Sequence, residues 1–148
     1  MTTLYLDEDL AKDEGFRSHA YPDPLTGAEP WTCGYGCTGP DVTEDTVWTQ
    51  AQAWARMQAK RAEAEAQLSA QLPWWKELND ARQDALVNMA YQLGIGHLLG
   101  FQHALTAMER ADWATAASAM LASEWAKQTP SRAIRLAKQM HDGVRIPA

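Results

Sequence analysis

The chain has 148 residues, of which 46% are apolar, and its formal net charge at pH 7 is −6. This length fits one folding unit, the apolar fraction excludes an intrinsically disordered chain, and the acidic balance argues against a nucleic-acid-binding protein. No apolar run is long enough to span a bilayer, and residues 1–9 lack the basic start and the apolar stretch of a secretory signal. We therefore expect no membrane insertion, and accumulation in the cytoplasm of the cell that makes the protein.

The first predicted elements are a short helix and a small sheet. Leu6, Leu10 and Ala11 form one apolar stripe, which predicts a helix over residues 5–14. Residues 15–48 are rich in Gly, Pro, Thr, Tyr and Trp. This composition is typical of turns around short strands and predicts a small antiparallel sheet.

A long helix is predicted next. Thr49 and Gln52 have the form of a capping box, so we expect a helix over about residues 49–72, which Pro73 ends. Apolar residues lie near both ends of this segment, whereas its middle, residues 60–65, is polar nearly all round. This pattern is typical of a helix that bridges two lobes.

The rest of the chain predicts a helical lobe. Asn79 can cap a helix over about residues 80–92, which is apolar around nearly its whole circumference and is therefore expected to be buried. Residues 94–99 are predicted to be a loop. Further helices are expected over about residues 101–109, over about 113–122, and from Thr129-Pro130 to near Gly143.

These elements predict an α+β, mostly α-helical fold in a single domain over residues 1–148. A small β-hairpin lobe covers about residues 15–50, and the bridging helix covers about 49–72. The helical lobe covers about residues 73–148 together with the N-terminal helix, residues 5–14.

The two cysteines, Cys33 and Cys37, lie in one short segment. If that segment is a strand, both side chains share a face but sit too far apart for a disulfide bond. The four histidines are scattered, and no second ligand pair stands at a suitable spacing. We therefore predict free thiols, no metal site and no cofactor.

Two carboxylates and a hydroxyl are candidates for catalysis. Glu14 ends the first predicted helix, Asp23 lies in a turn nine residues later, and Thr32 opens the following strand. Glycoside cleavage needs one carboxylic acid to protonate the leaving oxygen and a second carboxylate to activate water or stabilise the transition state. Spacing alone does not separate such a pair from solvated surface groups, since the chain has 19 acidic residues.

Several separate motifs resemble one enzyme family. Residues 13–17 (DEGFR), 21–23 (YPD) and 31–36 (WTCGYG) resemble the Glu…Asp…Thr catalytic signature of the phage lysozymes of glycoside hydrolase family 24. Three later segments resemble the central helix and further landmarks of the same family: residues 85–94, 100–101 and 128–133. The resemblance covers nearly the whole chain and implies a two-lobed lysozyme fold.

The resemblance also implies a function and the residues that perform it. The protein would be an endolysin that hydrolyses the β-1,4 bond between N-acetylmuramic acid and N-acetylglucosamine of bacterial peptidoglycan. Glu14 would protonate the glycosidic oxygen, Asp23 would orient or activate the water, and Thr32 would help to place it, with inversion at the anomeric centre. Arg132 matches the arginine that pairs with the catalytic glutamate. The candidates for substrate binding are Trp31, Tyr35, Gly36, Gln92 and Phe101.

The small lobe departs from the family pattern. Compared with the T-even type, three extra residues separate Asp23 from Thr32, so the turn that carries Asp23 is expected to differ in shape. The short connection after Cys37 is more like that of lambdoid-phage endolysins. Cys37 stands where the family usually has a structural histidine, whose loss should lower stability more than activity.

Two other functions are compatible with the sequence. A lytic transglycosylase cleaves the same bond without water and can work with a single acid, so the presence of both Asp23 and Thr32 favours hydrolysis. A non-catalytic wall-binding protein could also keep the fold, although the intact set of Glu14, Asp23 and Thr32 argues against it. The products distinguish the three: reducing ends, an anhydro sugar, or none.

The resemblance and the apparent lack of an export signal also predict a biological setting. We expect a monomer that stays in the host cytoplasm until lysis and then acts in the periplasm and cell wall. A separate pore-forming protein would have to release it to the peptidoglycan.

Overall fold

The computed structural model describes residues 1–148. It is a mostly helical α+β fold, as the sequence predicts. The elements follow in the order α1 (Leu6–Glu14), β1 (Arg17–Tyr21), β2 (Thr32–Gly34), α2 (Gln50–Gln71), a 3₁₀ helix (Pro73–Glu77), α3 (Asp80–Leu93), α4 (Ile95–Leu99), α5 (Gln102–Glu109), α6 (Trp113–Leu121), α7 (Glu124–Gln128) and α8 (Pro130–Asp142). None of the helices combines the length and the apolar composition that crossing a membrane requires.

The chain divides into two compact units. Unit 1 contains residues 1–6 and 64–148, and unit 2 contains residues 7–63. Most of α1 therefore groups with the hairpin, whereas the sequence assigned this helix to the helical lobe. Within unit 2, the Asp7 carboxylate of α1 accepts a hydrogen bond from Arg61 of α2 at 2.8 Å.

Unit 2 is built around a two-stranded antiparallel sheet. Arg17 lies opposite Gly34 and Tyr21 lies opposite Thr32, with an irregularity in the register between the two pairs. On the other side of β1, His19 forms an isolated bridge with Val47. The core of this unit is made of buried side chains from α1, the hairpin, the connection that follows it and α2: Leu10, Cys33, Tyr35, Cys37, Val42, Ala53 and Met57.

Helix α2 begins with the capping box that the sequence predicts. The amide of Gln52 donates to Thr49 Oγ1 at 3.2 Å, and the amide of Thr49 donates to Gln52 Oε1 at 2.9 Å. These bonds satisfy two polar groups at the start of the helix. Pro73 ends the helix as expected and begins the 3₁₀ turn.

Unit 1 is built around α3, which is buried along most of its length, as predicted from its all-round apolar surface. The Asn79 side chain caps it by accepting from the Arg82 amide at 3.0 Å. Buried polar residues of α3 are satisfied: Gln83 donates to the carbonyl oxygens of Lys76 and Leu78, and Asp84 accepts from Thr3. Around α3 pack α4 and α8, and α8 also contacts α6 and α7.

Three local features of unit 1 differ from what the sequence led us to expect. Residues 95–99 form the short helix α4, not a loop, and Leu98 anchors it in the core. Helix α7 was not predicted, although Ser123 caps it by accepting from the Ala126 amide at 3.2 Å. Thr129 precedes α8 but does not cap it, because its hydroxyl donates to the Trp125 carbonyl oxygen at 3.1 Å.

Candidate active site

Glu14 is the last residue of α1 and is half-buried. Gly15 ends the helix in the left-handed region, with φ of +71°, while its amide still donates to the Ala11 carbonyl oxygen at 2.9 Å. A residue without a Cβ adopts this conformation at little cost. The chain therefore turns directly from the glutamate into β1, which keeps Glu14 beside the hairpin.

The turn after Thr32 lies against Glu14. The backbones of Cys33 and Cys37 bond to each other in both directions, at 2.9 and 3.0 Å, so the chain reverses across residues 34–36. Gly34 and Gly36 both have positive φ, of +66° and +69°. A Cβ atom added to Gly36 would lie 2.5 Å from Glu14 Oε2, so the carboxylate occupies the space that a side chain would fill.

The two cysteines do not have the arrangement that a continuous strand would give them. They do not lie along one strand; Cys33 and Cys37 face each other across a tight reversal. Both are free thiols and fully buried. Burial raises the pKa of the Cys33 thiol, whose Sγ lies 3.4 Å from the Ser18 carbonyl oxygen, so this cysteine stays protonated at neutral pH.

Asp23 is held by a turn of its own. Its Oδ1 accepts hydrogen bonds from the amides of Leu25, at 2.7 Å, and Thr26, at 3.3 Å. The Gly27 amide donates to the Asp23 carbonyl oxygen at 2.8 Å. An aspartate that bonds to backbone amides two and three residues later is fixed in orientation. One carboxylate oxygen is thus used for structure, while Oδ2 takes no part in the turn.

Thr32 starts β2 directly opposite Tyr21. Burial raises the pKa of Tyr21, and the negative charge of Glu14 raises it further. The Arg17 guanidinium and the hydrogen bond with Thr32 act in the opposite direction but do not cancel this rise. The Arg17 guanidinium lies 4.5 Å from the centre of the Tyr21 ring. Tyr21 is therefore a neighbour of Thr32 for which no separate role was predicted from the sequence, and the charge of Glu14 acts on it. The signal in the sequence was its place at the start of the 21–23 segment (YPD), one of the motifs that carry the family resemblance.

The predicted substrate-binding residues of unit 2 have different surroundings. Trp31 is half-buried and lines an open groove between residues 28–31 and 38–45. Tyr35 is only 3% exposed; its ring packs against Phe16 and Trp54, with centroid distances of 5.5 and 6.0 Å. Tyr35 therefore belongs to the core of unit 2 and offers little surface to a sugar.

The two substrate-binding residues predicted in unit 1, Gln92 and Phe101, both contact Trp125 of α7. Gln92 Oε1 accepts from Trp125 Nε1 at 2.8 Å, and the Phe101 ring meets the Trp125 ring edge-on with a centroid distance of 6.0 Å. Phe101 and Trp125 line a groove between α4, α5 and α7. Arg132 of α8 is not a solvated surface residue, since its Nε donates to the buried Asn88 at 2.9 Å. Its pairing with Glu14 stays a prediction.

The geometry of unit 2 suits acid-assisted cleavage of a glycoside. It offers a carboxyl group at a helix end, a threonine hydroxyl in the adjacent hairpin and a second carboxylate in a constrained turn. These are the groups that proton donation to a leaving oxygen and the activation of water require. Comparison with known families identifies a match: the model of the family described as phage lysozyme matches residues 11–139. The chain belongs to the phage lysozyme family.

Lysozymes are glycoside hydrolases, so membership of this family makes glycoside hydrolysis the activity to be tested. Over 69 residues, 47% of its length, the chain is 36% identical to the probable T4-type lysozyme 1 of Dictyostelium discoideum. Over 64 residues, 43% of the chain, it is 45% identical to the pre-baseplate central spike protein Gp5 of Enterobacteria phage T4. The matched segments cover only 41% and 11% of those two proteins.

Proposed function

We propose that this lysozyme hydrolyses the β-1,4 bond between N-acetylmuramic acid and N-acetylglucosamine in bacterial peptidoglycan, with Glu14 as the general acid. The observation that carries the proposal is the contact between Glu14 and Gly36, in the turn that follows Thr32. This contact fixes a carboxyl group next to the hairpin that also carries the threonine of the predicted catalytic set. Membership of the phage lysozyme family supports the choice of bond.

Asp23 and Thr32 are proposed to handle the water. Because Asp23 Oδ1 is engaged by the Leu25 and Thr26 amides, Oδ2 is the oxygen left to accept a proton from an attacking water. Thr32 can orient the same water through its hydroxyl. A water that attacks from the face opposite the leaving group inverts the anomeric centre. Trp31, Gln92 and Phe101 are the proposed contacts to the sugars, since they line or border grooves and carry aromatic or amide groups.

The test of the acid is mass spectrometry of purified peptidoglycan after digestion. Wild-type protein is expected to release muropeptides with reducing ends, and Glu14→Gln is expected to release none. Glu8→Gln is the matched control, because Glu8 is an exposed carboxylate on the same helix, and it should digest like wild type. Anhydro products from wild type would make the protein a lytic transglycosylase. Binding of glycan without products would make it a wall-binding protein.

A second variant separates hydrolysis from transglycosylation through Asp23. Asp23→Asn keeps an oxygen that can accept from the Leu25 and Thr26 amides, so the turn should persist while the base is lost. Hydrolysis is expected to fall by about 100-fold or more, in keeping with the loss of a general base. A variant that digests at the wild-type rate would exclude Asp23 from the mechanism.

Proton NMR of the first products released by wild-type protein reports which anomer forms and therefore tests the proposed inversion.

We also propose that the lysozyme acts as an endolysin. In this setting it accumulates as a monomer in the host cytoplasm until a separate pore-forming protein gives it access to the periplasm and cell wall. One relative is a baseplate spike protein, so delivery by a virion is the competing arrangement. Expression in a bacterial host with and without a pore-forming protein tests the proposal: lysis that requires the pore supports it, and lysis without the pore contradicts it.

A further inference from the structure

The polar middle of α2 is not simply a solvated surface. In the sequence, residues 60–65 are polar nearly all round, a composition that is typical of a solvent-exposed segment. Lys60 and Arg61 are nevertheless both half-buried, and each binds a different element of unit 2. The two residues are consecutive on the helix, so their side chains diverge by about 100° and can reach two separate partners.

The first partner is the turn beside Glu14. Lys60 Nζ donates to the Gly36 carbonyl oxygen at 2.9 Å in a partly buried contact. The same glycine carries the Cα against which the Glu14 carboxylate lies. Gly36 thus has the ammonium group of Lys60 at its carbonyl and the carboxylate of Glu14 at its Cα. A movement of this glycine by a few tenths of an ångström would change the space available to the carboxylate.

The second partner is α1, which carries Glu14. Arg61 Nε donates to Asp7 Oδ1 at 2.8 Å, and Gln58 Nε2 donates to Asp7 Oδ2 at 3.2 Å. Asp7 precedes Glu14 by seven residues, which is about two helical turns. Helix α2 therefore holds both the helix that presents Glu14 and the turn against which its carboxylate rests.

We propose that Lys60 is a positioning residue for Glu14, acting through the carbonyl group of Gly36. Lys60 does not take part in the chemistry; it fixes the turn so that the carboxylate keeps one orientation. Arg61 completes the arrangement by fixing α1. The proposal rests on the proposed role of Glu14 as the acid.

The test compares kinetics and stability of Lys60 variants on purified peptidoglycan. Lys60→Met removes the donor and keeps the length of the side chain, so kcat is expected to fall at least about tenfold with KM unchanged, since small misplacements of catalytic groups are costly. Lys60→Arg keeps a donor and should recover most of the activity. Lys12→Met, which removes an exposed lysine of the same unit, is the matched control and should behave like wild type.

The pH profile separates positioning from a purely electrostatic role. If Lys60 acts through the turn, Lys60→Met lowers kcat at every pH and leaves the midpoints of the profile where they are. A shifted acidic midpoint would show that Lys60 acts on Glu14 through its charge and would overturn the proposal. A lower Tm with wild-type kcat would show a structural role only and would also overturn it.

Two further measurements keep the test decisive. If Lys60→Met does not fold, Lys60→Gln replaces it, because the uncharged amide is polar but too short to span the same gap, and the same loss of kcat is expected. Glu14→Gln belongs in the same assay. If Glu14→Gln is active, the proposed function fails; if it is inactive and the Lys60 variants match wild type, only the positioning role fails.

Discussion

The carboxylate of Glu14 lies against the backbone of Gly36, so closely that a Cβ atom at Gly36 would come within 2.5 Å of Oε2. Glycine is favoured here for two separate reasons. Its φ of +69° lies in the left-handed region, and any side chain would need the place of the carboxylate. The clash involves the far end of a flexible side chain, so the protein can relieve it by turning Glu14 away.

Gly36→Ala is therefore expected to damage activity more than stability. The rotated carboxylate should lower kcat by about 100-fold, which is typical of a catalytic group moved by about 1 Å. The left-handed alanine should lower the free energy of unfolding by only about 1 kcal/mol. Kinetics on peptidoglycan and urea unfolding measure the two effects.

The matched control is Gly94→Ala in unit 1. Gly94 also has positive φ, of +81°, but a Cβ atom there would meet nothing within 4 Å. This variant should lose stability while its kcat stays at the wild-type value. Equal kcat values for Gly36→Ala and wild type would show that the contact with Glu14 does not matter for the reaction.

The two thiols are expected to be unreactive in the folded protein. Cys33 and Cys37 are fully buried, so a reagent has no access to either thiol, and burial also raises the pKa of Cys33 and so disfavours its thiolate form. A thiol reagent such as DTNB at pH 8 should label no cysteine in native protein and both in urea. Rapid labelling of one thiol without denaturant would contradict the packing of the turn.

The ion pair between Asp41 and Arg56 is expected to stabilise unit 2 in a pH-dependent way. Arg56 Nε donates to Asp41 Oδ2 at 2.7 Å and holds the pKa of Asp41 below its usual value. Because the pKa of Asp41 is lower in the folded protein than in the unfolded chain, the pair stabilises the fold fully at a pH above the unfolded aspartate pKa of about 3.9. This stabilisation is lost as the pH falls through the lower pKa that Asp41 has in the folded protein. Asp41→Asn should cost about 0.5 kcal/mol at pH 7, since the pair is partly exposed and screened.

Urea unfolding at pH 7 and near pH 3 checks this sign. The difference between Asp41→Asn and wild type should shrink at the lower pH. Asp45→Asn, which removes an exposed carboxylate from the same connection, should show no such difference at either pH. A cost for Asp41→Asn that is as large in acid as at pH 7 would rule out the ion pair as its source.

The capping box of α2 offers a test of local stability. Thr49→Ala removes the acceptor of the Gln52 amide and should lower the free energy of unfolding by about 1 kcal/mol. Thr49→Ser keeps a hydroxyl and should lose much less. Chemical denaturation of the three proteins under one set of conditions measures the difference, and a Thr49→Ala midpoint equal to wild type would show that the cap is energetically neutral.

The longer helices with chemical markers at their ends could be predicted from the sequence. Helix α2 begins one residue after Thr49 and ends two residues before Pro73, and α8 ends just before Gly143, whose φ is +69°. Helix α4 could not be found, because five residues make less than two turns and show no clear periodicity. The Cys33–Cys37 reversal was missed because positive φ at two glycines, and not the alternation of side chains, determines it.

The candidate site was predictable only in part. The positions of Glu14, Asp23 and Thr32 followed from family motifs, since one carboxylate resembles another in a chain with 19 acidic residues. The contact of Lys60 with the Gly36 carbonyl group joins residues 24 positions apart. A side chain that bonds to a distant backbone oxygen leaves no periodic signal, and a polar helix segment has the same composition whether it contacts water or protein.

Unit 1 is made of two stretches of chain, residues 1–6 and 64–148, and the order in which they are synthesised affects the order of folding. Thr3 donates to Asp84 through its backbone amide at 2.8 Å, whereas all of unit 2, residues 7–63, lies between them in the chain. During synthesis from the amino end, the continuous segment of unit 2 is complete before Asp84 exists. Unit 2 is therefore free to assemble first, and its compaction shortens the loop that residues 1–6 must close. The hairpin beside Glu14 can therefore form on the ribosome before residues 1–6 make their contacts with residues 64–148.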